Sequence, residues 1–214
     1  MQLEQILQHR PDLWRGSAAP AAAPRGEPTG FAALDALLPW RGWPPGALTE
    51  LLCPRFAGGL SLVLPALAGL SREARWLLLV DPPFLPYAPA LAAAGVELGR
   101  MLVAEAGEAA AWAAEQGLRS GACSAVLLWG GRWQGSALRR LQLAAETGGV
   151  MAMLFRDPGT ARGHSPAALR LQVEPSPAGL AVTVLKQRGG RAGARVCLNP
   201  WAGSSVLQPA RPCE

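Results

Sequence analysis

The sequence holds a single lysine, Lys186; the other 19 of its 20 basic residues are arginine. Any site that needs a lysine in the first 180 positions is therefore excluded. Histidine is nearly as scarce, with His9 and His164 far apart. The four cysteines, Cys53, Cys123, Cys197 and Cys213, never come closer than 16 positions. That leaves no C-x-x-C and no zinc spacing. A disulfide framework is not expected in a domain of this size, so the thiols read as buried or incidental ones in a reducing cytoplasm. No local signature supports a Ser-His-Asp or Cys-His site. Charged residues make up only 16% and apolar residues 50%, which rules out a wholly disordered chain. The longest uncharged apolar run, Phe56 to Ser71, stops at 16 residues and is broken by glycine and Pro65. A membrane span takes about 20, so none is expected. The opening Met-Gln-Leu-Glu lacks the basic-then-apolar pattern of a secretory leader, and a cytoplasmic location is expected.

What is present points to one domain with a small appendage in 214 residues. A chain this long buries roughly 70% of its unfolded surface and needs no staples. The net charge of +5 fits nucleic acid or an acidic protein partner, and fits a plain solvated surface equally well. Residues 1–14 carry Leu3, Ile6 and Leu7 at helical spacing, stopped by Pro11. This two-turn helix is marginal alone and must dock on something. Residues 15–28 are Ala/Pro/Gly-rich and read as a flexible linker.

From Thr29 onward apolar strands alternate with helical stretches. Strands are expected at Ala47 to Cys53, Trp76 to Val80, Met101 to Ala104, Ser124 to Trp129 and Val150 to Phe155. Helices of about ten residues lie between them, with Pro65 anomalous inside one. This is the pattern of βαβ units and a mostly parallel sheet flanked by helices, an α/β fold. Continuously apolar strands are buried on both faces. Leu169 to Val173 and Leu180 to Leu185 alternate instead, so the C-terminal edge should turn antiparallel. The domain is placed at 29–200, with 201–214 as a tail.

In such sheets ligands bind where strands end and helices begin. The first junction here is Cys53 to Ser61. A phosphate-binding loop needs G-x-x-x-x-G-K-[ST], with glycine amides cradling phosphate, a lysine on the β/γ charge and a hydroxyl on magnesium. Cys53 stands at the first glycine and Gly58 at the second. Gly59 stands at the lysine and Leu60 at the hydroxyl. The strand expected to end in a magnesium-binding aspartate ends in Trp129. A loop so altered excludes ordinary ATP hydrolysis, the rival being an unusual nucleotide site using Ser61 and Arg55. No cofactor and no metal are expected.

These residues resemble the RecA family over most of the chain. Thr29-Gly30-Phe31, Leu34-Asp35, Gly42 to Ala47 and Thr49-Glu50 are similar to the family's approach to its first core strand. Leu79-Val80-Asp81 with Tyr87-Ala88 and Leu91 are similar to its next strand onwards. Val184-Leu185-Lys186-Gln187-Arg188 look like its late K-x-K strand. Pro82-Pro83 stand where the resemblance would put the catalytic glutamate. Gly130 to Gly135 and Asp157 to Pro166 are shortened forms of its DNA-binding loops, with Arg156 in place of a coupling glutamine. With the N-terminal LEQILQHRPDLWRG, the whole is similar to the ImuA family, a degenerate RecA-like group related to SulA. The resemblance implies a non-catalytic accessory of SOS-induced translesion synthesis and mutagenesis that binds RecA and/or ImuB. The alternatives are a SulA-like division inhibitor binding FtsZ, and a DNA-binding module. Self-association stays open.

Six residues are candidate contacts for single-stranded DNA or a partner: Arg132, Trp133, Arg139, Arg140, Lys186 and Arg188. Arginine beside an aromatic can grip a strand by charge and stacking. The bland alternative is a solvated helix face with Trp133 folded onto the core. Leu138, Leu141 and Leu143 are expected to face that core. Leu3, Ile6, Leu7 and Trp14, and Trp201 and Leu207 in the tail, are candidate partner anchors.

Overall fold

The computed structural model describes residues 25–130, 133–160 and 163–200. The expected helix at 1–14, most of the linker, the tail and Arg132 lie outside the described residues. Eight strands form one sheet in the order β3-β2-β4-β5-β1-β6-β7-β8. They are β1 (Leu48–Leu52), β2 (Trp76–Val80), β3 (Met101–Ala104), β4 (Cys123–Trp129), β5 (Met151–Arg156), β6 (Leu169–Ser176), β7 (Gly179–Gln187) and β8 (Arg195–Leu198). The first six neighbours pair in parallel, and β6–β7–β8 pair antiparallel. The α/β reading with an antiparallel C-terminal edge is thus observed. The sheet extends further than expected, since a further strand, β8, pairs beyond the two alternating segments of the C-terminal edge. Its Val196-Cys197-Leu198 run pairs with β7 over four residues.

β1, β4 and β5 are buried along their whole length because both faces are covered. On one face lie α1 (Ala32–Leu37), α2 (Gly59–Leu70) and α3 (Ala88–Ala93), which pack Leu34, Leu62, Leu67 and Leu91 onto Leu51, Leu79 and Phe155. On the other lie α4 (Ala110–Arg119) and α5 (Gly135–Gly148), with Ala114, Leu118, Leu138 and Leu141 against Leu48, Val126 and Leu154. Leu143, expected from the sequence to face this core, is instead 47% exposed. The buried stripe of α5 runs through Leu138, Leu141, Gln142 and Ala145, at helical spacing, and position 143 falls outside it. Pro65 sits inside α2, where its ring packs against Gly30 so closely that a Cβ there would overlap it.

Backbone bonds tie Glu27 to Trp43 in both directions (3.1 and 2.7 Å). The last residues of the segment read as linker therefore pack within the domain. Cys53 and Cys123 are buried free thiols. Cys197, by contrast, is disulfide-bonded, against the expectation for it. No helix among the described residues is long and apolar enough to cross a membrane.

Candidate functional site at the strand ends

The carboxyl ends of β1, β4 and β5 meet where successive crossovers leave for opposite faces, the usual ligand crevice of an open α/β sheet. The loop after β1 turns tightly there. Arg55 and Phe56 both adopt left-handed backbone (φ 49° and 61°), unusual for side chains of their size. The turn is closed by its own amides. Phe56 N donates to Cys53 O at 3.1 Å and Ala57 N to Pro54 O at 2.9 Å. Those N–H groups are directed at the loop and not at a ligand.

Side chains pack tightly against the two glycines of this junction. Phe155, fully buried, stacks on Trp129 with ring centroids 4.5 Å apart and planes 5° from parallel. Its ring edge and Cys53 Sγ both lie 2.8 Å from where a Cβ on Gly59 would stand. Leu180 closes in on Gly58 in the same way. Burial pushes the Cys53 thiol up to about 12, so it is neither nucleophile nor acid near neutrality. An alanine at an exposed helix position usually gains up to about 1 kcal/mol over glycine. Gly59→Ala should instead destabilise by about 1–3 kcal/mol through overpacking, read as a lower midpoint in urea denaturation. A gain in stability would mean that the aromatic plug is loose.

Asp81, at the end of β2, is also committed. Its Oδ1 accepts from Ala106 N at 2.6 Å and Gly107 N at 3.2 Å, fastening the loop after β3. The residue adopts φ 48° to do so.

The candidate contact residues are not gathered into one patch. Trp133 is half-buried against the α4/α5 core, and its indole N–H donates to Gly130 O. Arg140 pairs with Glu115 at 3.4 Å, and Glu115 also holds Arg119. Arg188 pairs with Glu146 at 3.0 Å. Arg139 is exposed, with no ion pair among the described residues. Lys186 Nζ donates to Ser165 O at 2.7 Å. Desolvation first, then Arg188 and Arg170, lowers its pKa, partly offset by Glu50.

Beside Lys186 lies a network that motif matching overlooked. Glu50, fully buried in β1, accepts from Ser165 Oγ (2.5 Å), Arg156 Nη1 (3.3 Å) and Arg170 Nε (2.9 Å). Arg170 Nη1 reaches Gly163 O at 3.1 Å. One carboxylate thus ties β1, β5, β6 and the loop after β5 together. With both oxygens engaged by cations and a hydroxyl, it is a latch and not a general base. The sequence signal was available: a glutamate inside the apolar run LTELL, and arginines at an apolar strand's end and inside another.

No family model and no curated protein matches the chain. Among solved structures it is similar to SulA from Pseudomonas aeruginosa, at 32% identity over 52% of this chain and 98% of that one, with a TM-score of 0.44.

Proposed function

We propose that the chain is a non-catalytic accessory protein of SOS-induced translesion DNA synthesis, as its resemblance to the ImuA family implies, and that it acts by binding RecA and/or ImuB. The observation that supports the non-catalytic part is the make-up of the first strand-end loop: glycine and leucine stand at the lysine and hydroxyl positions, and Cys53, Phe155 and Leu180 pack against Gly59 and Gly58. A fold without its ligand retains its surfaces, and protein binding is the work left to it. A DNA-binding module has weaker support. Arg140 and Arg188 are ion-paired and Trp133 is folded back, so of the described candidates Arg139 alone is an exposed, unpaired cation.

The test is a pull-down of purified RecA, ImuB and FtsZ, side by side and without nucleotide. Capture of RecA or ImuB, and not FtsZ, is expected. Capture of FtsZ alone would replace this reading with a division inhibitor. ATP turnover by the pure protein, lost in Ser61→Ala, would overturn the non-catalytic part.

A further inference from the structure

Among the described residues, every exposed large apolar side chain except Leu143 lies between Phe84 and Trp112. Phe84 (79% exposed), Leu85 (87%) and Tyr87 (71%) stand on the loop after β2. Leu102 and Val103 are exposed on opposite faces of β3. β3 is an outer strand, paired only with β2, so its other side offers unpaired N–H and C=O groups. A soluble domain normally blunts such an edge with charge, and Met101–Ala104 carries none.

The apolar loop is pre-organised. Pro82, Pro83 and Pro86 fix φ at three of its positions. The Asp81 carboxylate pins its start to the amides of Ala106 and Gly107. A stiff loop loses little entropy when it docks.

The charge at the loop end of this face is acidic. From Leu77 to Leu118 the chain holds a single basic residue, Arg100, in a protein of net charge +5. Arg100 lies at the far end of β3, its guanidinium 5.8 Å over the Trp76 ring. At the loop end stand Asp81, Glu105 and Glu108, the last two exposed and without an ion pair among the described residues. Such a rim repels phosphates and attracts cations.

We infer that this face, the Phe84-Leu85-Tyr87 loop with the β3 edge, binds an extended segment of another protein in which Lys or Arg alternates with apolar anchors. The open edge supplies backbone hydrogen bonds, the apolar side chains supply contact area, and the carboxylates select positive charge. The inference deepens the accessory role and rests on it for the existence of a protein partner.

Two measurements on the full chain test it. The first is fluorescence anisotropy with a labelled 12-residue peptide of alternating Leu and Lys, and with its Glu-for-Lys counterpart. The Lys peptide should bind, more weakly as salt rises, and the Glu peptide should not. Affinity should fall about tenfold or more in F84S/L85S/Y87S and in E105K/E108K. These side chains are exposed, so both variants should melt close to the parent. Equal affinity in parent and variants, or preference for the Glu peptide, would overturn the inference. The second is the RecA and ImuB pull-down repeated with F84S/L85S/Y87S. Loss of capture supports the face. Undiminished capture overturns it and leaves the accessory role standing. If the parent captures neither protein, the accessory role fails, and the peptide result still decides the face. Sedimentation showing a parent dimer that F84S/L85S/Y87S dissociates would make the occupant a second copy, and would also overturn the inference.

Discussion

Glu50→Ala should cost about 3–5 kcal/mol of stability, because removing one partner of a buried ion pair leaves the other charge uncompensated. For a domain of this size that lowers Tm by roughly 6–20 °C. Glu50 is fully buried and serves two arginines that are themselves buried. Arg156 has a further weakness, since its Nε is already buried without a hydrogen-bond partner among the described residues. Glu50→Gln should fall between parent and Ala, keeping an acceptor for Ser165 but not the charge. Replacing all three charges together, as Glu50→Leu with Arg156→Met and Arg170→Met, should recover much of the loss, because a well-packed apolar cluster can equal a buried ion network. Thermal denaturation of the four proteins checks this. A Glu50→Ala protein as stable as the parent would mean that the arginines reach water without it.

Phe155→Ala should destabilise by a similar amount, about 3–5 kcal/mol, through the cavity it leaves. Part of this is the lost stacking with Trp129, worth about 0.5–1.5 kcal/mol. The variant also asks a functional question, because the vacated volume borders Gly59 and Cys53. MgATP should raise the melting temperature of neither parent nor variant, since Gly59 and Leu60 stand where a phosphate loop has its lysine and its magnesium-binding hydroxyl. A rise confined to Phe155→Ala would mean that the aromatic plug alone closes a latent nucleotide site.

The parallel core strands could be read from the sequence because each is a short apolar run bounded by turn residues, such as WLLLV between Arg75 and Asp81. Their order could not. β1 lies between β5 and β6, and nothing local in LTELL states that its neighbours come a hundred residues later. The Glu50 latch was missed for the same reason, its partners being 106, 115 and 120 positions away. The altered phosphate loop was legible residue by residue at Cys53, Gly59 and Leu60. That Phe155 packs against Gly59 of that loop was not, because a phenylalanine inside VMAMLF looks like any core residue until β5 is laid beside β1. The apolar character of Phe84, Leu85 and Tyr87 was in plain sight, but exposure depends on tertiary packing, which periodicity does not report.

The central place of β1 also has a consequence for synthesis. The strand leaves the ribosome early, with five residues destined for burial and a carboxylate destined for two cations. Arg170, which completes its surroundings, follows 120 positions later. At about 5–20 residues per second that is roughly ten seconds of translation. For the first hundred or so of those positions β1 has neither neighbour in the sheet, and a chain released before β6 still lacks one of them and has no route to the native order. The newborn polypeptide is therefore a client for whatever shields exposed strands, and fragments ending before β6 should be cleared by proteolysis and not accumulate.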